Sequence, residues 1–197
     1  MTNHLRPAIV LILLFTLLLG LALPVALTGV AQAIFPHQAG GSLIERDGKV
    51  IGSALIGQTF TSDKYFWSRP SATTDTDPND ATKTVPAPYN AAASNASNYG
   101  PTSKALIDRV TADVAKAGPA PVPGDAVTTS ASGLDPDISP ENAARQVARV
   151  ANARHMGEAD VRALLDAHTA APWLGFIGQP RVNVLELNLA LDAAAAH

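Results

Sequence analysis

A long apolar run near the N-terminus constrains the fold of this chain more than any other feature. Residues Ala8 to Val30 are almost wholly apolar, and no formally charged residue lies between Arg6 and Glu45. At a rise of about 1.5 Å per residue, a helix of this length spans a hydrocarbon core about 30 Å thick. The run therefore predicts a transmembrane helix over residues 7–34, preceded by a short tail of residues 1–6.

A cleaved signal peptide is the competing interpretation of the same run. The tripeptide Ala31-Gln32-Ala33 fits an A-x-A cleavage motif. The apolar region of a signal peptide is typically about 7–15 residues long, however, and this run is longer. The length of the apolar run favours an uncleaved membrane anchor. If the segment were cleaved instead, the chain would be a secreted binding protein or hydrolase.

The charge distribution predicts the orientation and excludes one class of partner. Because basic residues favour the cytoplasmic side, Arg6 places the N-terminus in the cytoplasm, with residues 35–197 outside the plasma (inner) membrane. The chain has 17 acidic and 14 basic residues, and only Arg6 precedes the uncharged stretch. This acidic balance argues against a nucleic-acid partner. The absence of cysteine excludes disulfides and thiolate metal sites.

The remaining residues alternate between strand and helix signals, which predicts a small α/β domain and an α+β fold class overall. Asp47-Gly48 is a strong turn dipeptide, and residues 70–101 are rich in Thr, Asp, Asn, Ala, Ser and Pro. Ser139-Pro140 and Gly157 are typical of a helix start and a helix stop. The predicted elements are a hairpin over 42–60, a long loop or insertion over 70–101, helices over 103–117, 140–155 and 158–168, strands over 126–132 and up to Val182, and a helix from Val184 onward.

Asp135 and Asp137 form the strongest candidate for a metal site. A calcium loop of the EF type needs a glycine at its sixth position and a glutamate at its twelfth. Counted from Asp135, these positions hold Pro140 and Gln146. The spacing therefore argues against a metal site and favours a stiff helix entry capped by Ser139.

No catalytic constellation accompanies these aspartates in the sequence. The chain contains neither a G-x-S-x-G nucleophile motif nor a G-x-x-x-x-G-K-[ST] phosphate loop. The sequence therefore predicts no catalytic residue and no tightly bound cofactor. An anchored domain of this kind most simply binds other proteins, and Phe66, Trp67 and Arg69 have the composition of an interface.

The blocks of sequence along the chain resemble one known family. They occur in order as LRPA, GSLIERDGKVIGSALIGQTF, YFWSRPSAT, PYN, SGLDPDISPENAARQVARVANAR and GQPRVNVLELNLALD. Together they resemble the C subunit of the bacterial Kdp-type potassium-transporting P-type ATPase. The segment near 74–86 departs from that family as a longer insertion, which suggests a tolerated surface.

The resemblance implies a non-catalytic accessory subunit of an ATP-driven potassium uptake complex. Its partners would be a channel-like potassium-translocating subunit, a P-type ATPase subunit and a small stabilising subunit, and the complex would handle ATP and potassium. The resemblance also implies a catalytic chaperone that supports assembly and raises the ATP affinity of the ATPase subunit. An alternative within the family is a stabilising subunit at the outer potassium entrance.

The resemblance suggests a role for particular residues. Gln146 falls where a nucleotide-linked glutamine of the family is expected. Direct nucleotide contact conflicts with the predicted topology, because ATP is cytoplasmic and the predicted cytoplasmic tail is short. Trp67, Arg69, Asp135 and Asp137 are expected at subunit contacts or near the outer cation path.

Overall fold

The computed structural model describes residues 2–118 and 121–194, and the chain divides into two compact units, Met1–Ile51 and Gly52–His197. The first unit is dominated by a continuous helical stretch from Leu5 to Ile34. Mean hydropathy over this stretch reaches 2.9, so it is long and apolar enough to cross a membrane. The predicted long apolar helix is confirmed. A signal sequence near the N-terminus would meet the same criterion.

This stretch changes helical type in the middle. Helix α1 (Leu5–Leu17) passes through a π-helical turn (Leu18–Ala22) into helix α2 (Leu23–Ile34). Pro24 lies in the first turn of α2 and has no N–H, and its ring would crowd the carbonyl four residues earlier, at Gly20. A π turn widens the helix locally, and it coincides here with the residues that must accommodate the proline.

A short helix and a hairpin follow. Helix α3 (Pro36–Ala39) leads to strands β1 (Leu43–Arg46) and β2 (Lys49–Ser53), which pair around Asp47 and Gly48. Both turn residues have positive φ, 53° and 74°, as a two-residue type I′ turn requires. The predicted hairpin is confirmed, although its second strand ends at Ser53 rather than near residue 60.

The segment 70–101 contains a second hairpin and is therefore not a plain loop. Strands β3 (Thr74–Asp77) and β4 (Asp80–Pro86) pair antiparallel, with Thr76 opposite Thr84 and an irregularity after Thr76. Neither strand has a buried residue. The prediction of a loop was wrong here because threonine favours strands, while the missing apolar face removed the usual strand signal.

Helix α4 (Lys104–Ala117) ends at Gly118, whose φ is 94°, so the predicted stop is confirmed. The strand expected over 126–132 does not form. A 3-10 turn (Gly124–Ala126) occupies its start, and the Thr128 hydroxyl donates to the Gly124 carbonyl at 2.6 Å. This local bond offers the backbone an alternative to a strand, as threonine side chains often do.

The core of the second unit lies between three helices and a small antiparallel sheet. The sheet has the order β5 (Asp137–Ile138), β7 (Arg181–Asn183) and β6 (Thr169–Ala170). The helices are α5 (Pro140–Arg154), α6 (Glu158–Ala167) and α7 (Val184–Ala194), close to their predicted bounds. The α+β fold class is confirmed. The buried apolar cluster comprises Phe66, Ile138, Ala143, Val147, Val150, Ala151, Val161, Leu165, Val182, Val184, Leu187 and Leu191.

The ends of these helices follow the sequence signals closely, with one exception. The Ser139 hydroxyl accepts from the Asn142 amide at 3.1 Å, and Asn183 caps α7 by accepting from the Glu186 amide at 3.1 Å. Helix α5, however, ends at His155, which takes the left-handed conformation with φ 56°. Gly157, predicted to close α5, instead precedes α6 as its N-cap residue.

Candidate functional site

The aromatic strap, which we define as Ser62–Arg69, is held in place by side chains of α5 and α7. Its eight residues are all described and form neither helix nor strand, so their backbone groups need other partners. At its centre Phe66 is fully buried in the core. The Asn188 amide accepts from the Phe66 N–H at 2.8 Å and donates to the Phe66 carbonyl at 3.0 Å. Asn188 is itself only 2% exposed. Its side chain makes the two backbone hydrogen bonds that a neighbouring strand would otherwise make.

Gln146 repeats this arrangement on the next residue of the strap. Its Oε1 accepts from the Trp67 N–H at 2.7 Å, and its Nε2 donates to the Trp67 carbonyl at 3.2 Å. Oε1 also accepts from Arg149, and Nε2 also donates to Asn142. A primary amide offers two N–H groups and two lone pairs. All four are therefore used, so a nucleotide could reach this amide only by breaking one of these bonds.

Two arginines complete the hold on the strap. Arg149 lies over the Trp67 ring, 3.7 Å from its centroid, and donates to the Asp63 and Tyr65 carbonyls at 2.8 and 3.0 Å. Burial lowers the pKa of Arg149, and the nearby charge of Asp63 offsets part of that change. Arg154 lies over the Tyr65 ring and pairs with Asp192 at 2.8 Å. Guanidinium groups suit these contacts because they stack on rings and donate in several directions.

The predicted contact residues Trp67 and Arg69 belong to this strap but face different partners. Trp67 is 38% exposed, and its Nε1 donates to the Ser62 carbonyl at 3.0 Å. Arg69 pairs with Asp135 at 2.7 Å, and its carbonyl accepts from the Tyr89 hydroxyl at 2.7 Å. Burial raises the pKa of Tyr89 to about 12, so the phenol keeps its proton for this bond.

Asp135 and Asp137 lie on either side of Pro136, and each pairs with its own arginine. Asp135 also accepts from the Asp137 amide at 3.0 Å, which makes the turn into β5 rigid. Asp137 pairs with Arg181 at 3.1 Å. Burial and the charge of Asp135 raise the pKa of Asp137, while Arg181 opposes that change. Among the residues that the structure describes, no three acidic or histidine side chains group closely enough to hold a metal ion.

Asp125 joins the 3-10 turn to the start of α5. Its carboxylate accepts from the Ser139 amide at 2.8 Å, the Ser139 hydroxyl at 2.9 Å and the Asn142 side chain at 3.0 Å. Burial alone raises the pKa of Asp125, but these hydrogen bonds outweigh burial and leave the pKa below its usual value.

A cleft of about 1230 Å³ opens beside this turn. Its wall carries both signs of charge in similar number, so it lacks the concentrated positive charge that a triphosphate requires. Glu141 and Arg145 contribute to it from α5, and Arg145 donates to the Ala117 carbonyl at 2.7 Å. Charged residues in the wall are Arg69, Arg145, Arg181, Asp125, Asp135, Asp137 and Glu141.

The structure brings the predicted site residues into two groups. Gln146 of α5 binds Trp67 of the strap, whereas Arg69, at the end of the strap, joins Asp135 and Asp137 in a chain of polar contacts beside the cleft. Sequence reasoning missed Asn188, Arg149, Arg154 and Asp125. The signal for Asn188 was available, because it is a polar residue within the otherwise apolar face of α7.

Comparison with known proteins gives full-length similarity to one family. The KdpC family model, described as the c chain of K⁺-transporting ATPase, matches residues 5–193. The potassium-transporting ATPase KdpC subunit of Rhodopseudomonas palustris (strain BisB18) is 65% identical over 198 residues, covering 98% of this chain and 100% of that protein. The KdpC subunits of Bradyrhizobium diazoefficiens and Methylobacterium nodulans are 63% and 62% identical, and each alignment covers at least 99% of both chains.

Proposed function

Because the chain belongs to the KdpC family of potassium-transporting ATPase subunits, we propose that it is the accessory subunit of an ATP-driven, high-affinity potassium uptake complex. Its partners are the channel-like potassium-translocating subunit, the P-type ATPase subunit and the small stabilising subunit. In this role it supports assembly and raises the ATP affinity of the ATPase subunit.

The observation that carries this proposal is the apolar stretch Leu5–Ile34, which is exposed along almost its whole length in the isolated chain. Leaving so much apolar surface in water is unfavourable, and a bilayer together with partner helices removes it. We place the N-terminus in the cytoplasm and the second unit outside the plasma membrane. ATP is cytoplasmic, so in this topology the second unit does not contact it.

The proposed effect on ATP affinity is therefore indirect. Gln146 has its four hydrogen-bonding positions occupied by Trp67, Arg149 and Asn142. We assign it to positioning the strap, whose half-exposed Trp67 presents an aromatic surface to a partner subunit. A change at Gln146 would alter nucleotide affinity by altering how this subunit sits on its partners.

Arg69, Asp135 and Asp137 are proposed as subunit contacts. Their ion pairs with one another and with Arg181 hold three charged groups at a partly exposed edge. At a subunit interface, charge pairs of this kind contribute more to the choice of partner and to its alignment than to the binding affinity. Since both carboxylates are engaged by arginines, a contact role is favoured over direct coordination of potassium in the outer cation path.

The experiment compares the purified complex with and without this chain. We expect loss of the chain to reduce the yield of the intact complex and to raise the KM for ATP in potassium-stimulated hydrolysis. Normal high-affinity uptake without the chain would refute the proposal. Isolation of a mature chain beginning at Ile34 would instead support a secreted protein.

Variants of the strap test the indirect effect. Gln146→Ala and Arg149→Ala both loosen Trp67, so both are expected to raise the KM for ATP, and the exposed Arg162→Ala serves as the control. A photoreactive ATP analogue should not label this chain in the complex. Competable labelling that Gln146→Ala abolishes, with Arg149→Ala unaffected, would show a direct nucleotide contact.

A further inference from the structure

The loop between β6 and β7 presents a cluster of large apolar side chains to the solvent. We call residues Trp173–Ile177 the apolar tip. Trp173 is 68% exposed, Leu174 66%, Phe176 77% and Ile177 46%. Such a contiguous exposed cluster marks an interaction surface, whereas single exposed apolar residues do not.

We propose that the apolar tip inserts into the headgroup and acyl boundary of the membrane, as a second lipid contact besides the N-terminal helix. This inference rests on the proposed membrane anchoring of the chain. The tip would lie at the shallow depth of about 5–10 Å that interfacial segments reach.

Part of the backbone of the tip is already hydrogen-bonded within the loop, which lowers the cost of moving it toward lipid. Trp173 and Ile177 exchange two hydrogen bonds of 2.9 Å each. The Gly175 amide donates to the Pro172 carbonyl at 3.0 Å, and the Phe176 amide donates to the Trp173 carbonyl at 3.3 Å. Four of the five amide N–H groups of the tip are bonded in this way, and water at the interface remains available to the other backbone groups at a shallow depth.

The conformation of Leu174 supports the same inference. Its φ is 54°, in the left-handed region that glycine and asparagine adopt more readily. Leucine there is strained relative to glycine, and it places an apolar side chain at the start of the exposed turn. A polar residue would serve a solvent-exposed turn better, so the strain suggests that an apolar side chain is useful at this point.

Charge and chain length favour lipid over a protein partner. No charged residue lies between Thr169 and Pro180, so the tip has no ionic groups with which to specify a protein surface. Tryptophan and other aromatic residues are enriched at membrane interfaces. Only the seventeen residues 35–51 connect the apolar helix to Gly52, a reach of at most about 60 Å when extended. A tether of this length allows the second unit to reach the bilayer surface.

The test uses the full chain reconstituted alone in phosphatidylglycerol–phosphatidylethanolamine vesicles. Because the chain has no cysteine, a single environment-sensitive fluorophore can be attached through Phe176→Cys. The matched control is Ala81→Cys on the exposed, Asp- and Thr-rich hairpin of β3 and β4. We expect blue-shifted emission and strong quenching by lipids with a nitroxide near the headgroup for Phe176→Cys, and neither effect for Ala81→Cys.

Water-like emission at position 176 in these vesicles would overturn the inference. If the emission shifted only after the other subunits were added, the tip would be a protein contact instead. The readout does not depend on ATP hydrolysis. If the emission of the label at position 176 stays water-like while the complex still requires this chain for activity, the lipid contact is refuted and the proposed function is not.

Discussion

Replacing Asn188 with alanine is expected to destabilise the second unit strongly, because it leaves the centre of the aromatic strap without partners. The Phe66 N–H and carbonyl are buried and bonded to the Asn188 amide at 2.8 and 3.0 Å. An orphaned buried polar group costs about 1–3 kcal/mol. Two such groups and a small cavity give about 3–5 kcal/mol, a large part of the 5–15 kcal/mol typical of a domain.

Gln146→Ala provides the matched comparison, since Gln146 makes the same pair of bonds to Trp67 nearer the surface. Water can replace the lost amide there, so the expected cost is about 1 kcal/mol. Urea unfolding in detergent micelles, followed by far-ultraviolet circular dichroism, measures both values. Hydrogen exchange at the Phe66 and Trp67 amides reports the strap itself. Equal losses for the two variants would refute the argument that burial makes the Asn188 bonds the more important pair.

Two further perturbations test the ends of α5. Asp125→Asn should cost about 1–3 kcal/mol at pH 7, because one of its two oxygens no longer accepts from Ser139. The pKa of Asp125 is lowered in the folded state, so its stabilisation is complete above the unfolded value near 3.9 and is lost as pH falls through the folded pKa. Urea melts at pH 3 and 7 should therefore differ less for the variant than for the parent, and an unchanged difference would contradict this. His155→Gly should stabilise the chain by about 0.5–1 kcal/mol, since φ is 56° there. A lower unfolding midpoint would show that the imidazole contributes more than the strain costs.

The helix boundaries were predictable where a single residue performs a local task. Ser139 followed by Pro140, and Asn183 three residues before Glu186, each create a cap whose geometry depends on a few neighbouring residues. The same reasoning identified the Asp47-Gly48 turn. Local chemistry of this kind is visible in the sequence because its partners are also neighbours in the sequence.

The errors arose where distant parts of the chain decide the local structure. The segment 126–132 contains residues that favour strands. It turns instead beside Asp125, whose carboxylate bonds to Ser139 fourteen residues later. The hairpin over Thr74–Pro86 has no buried face, so its pairing could not be read from alternating hydrophobicity.

The candidate site was only partly predictable for the same reason. Trp67 and Gln146 were each singled out, but no pattern linked them, since they are separated by 79 residues. The sequence favoured a stiff helix entry for the aspartates, whereas in the structure they form a turn into β5 just before α5. The sequence did not reveal that each aspartate binds a separate arginine. The sequence identified polar and aromatic residues that are able to form contacts. Their actual partners became known only from the fold.

The way in which the aromatic strap is held has a consequence for biosynthesis. Phe66 depends on Asn188, 122 residues later, and Tyr65 bonds to Asp192, 127 residues later. Contacts of such long sequence separation form late, because a large loop must close first. During synthesis the strap therefore has no partners in α7 until residues 184–194 have left the ribosome. In the proposed topology, the second unit crosses the membrane before its native structure is complete, so its export needs no unfolding step. A nascent chain that stops before α7 should be recognised by proteases.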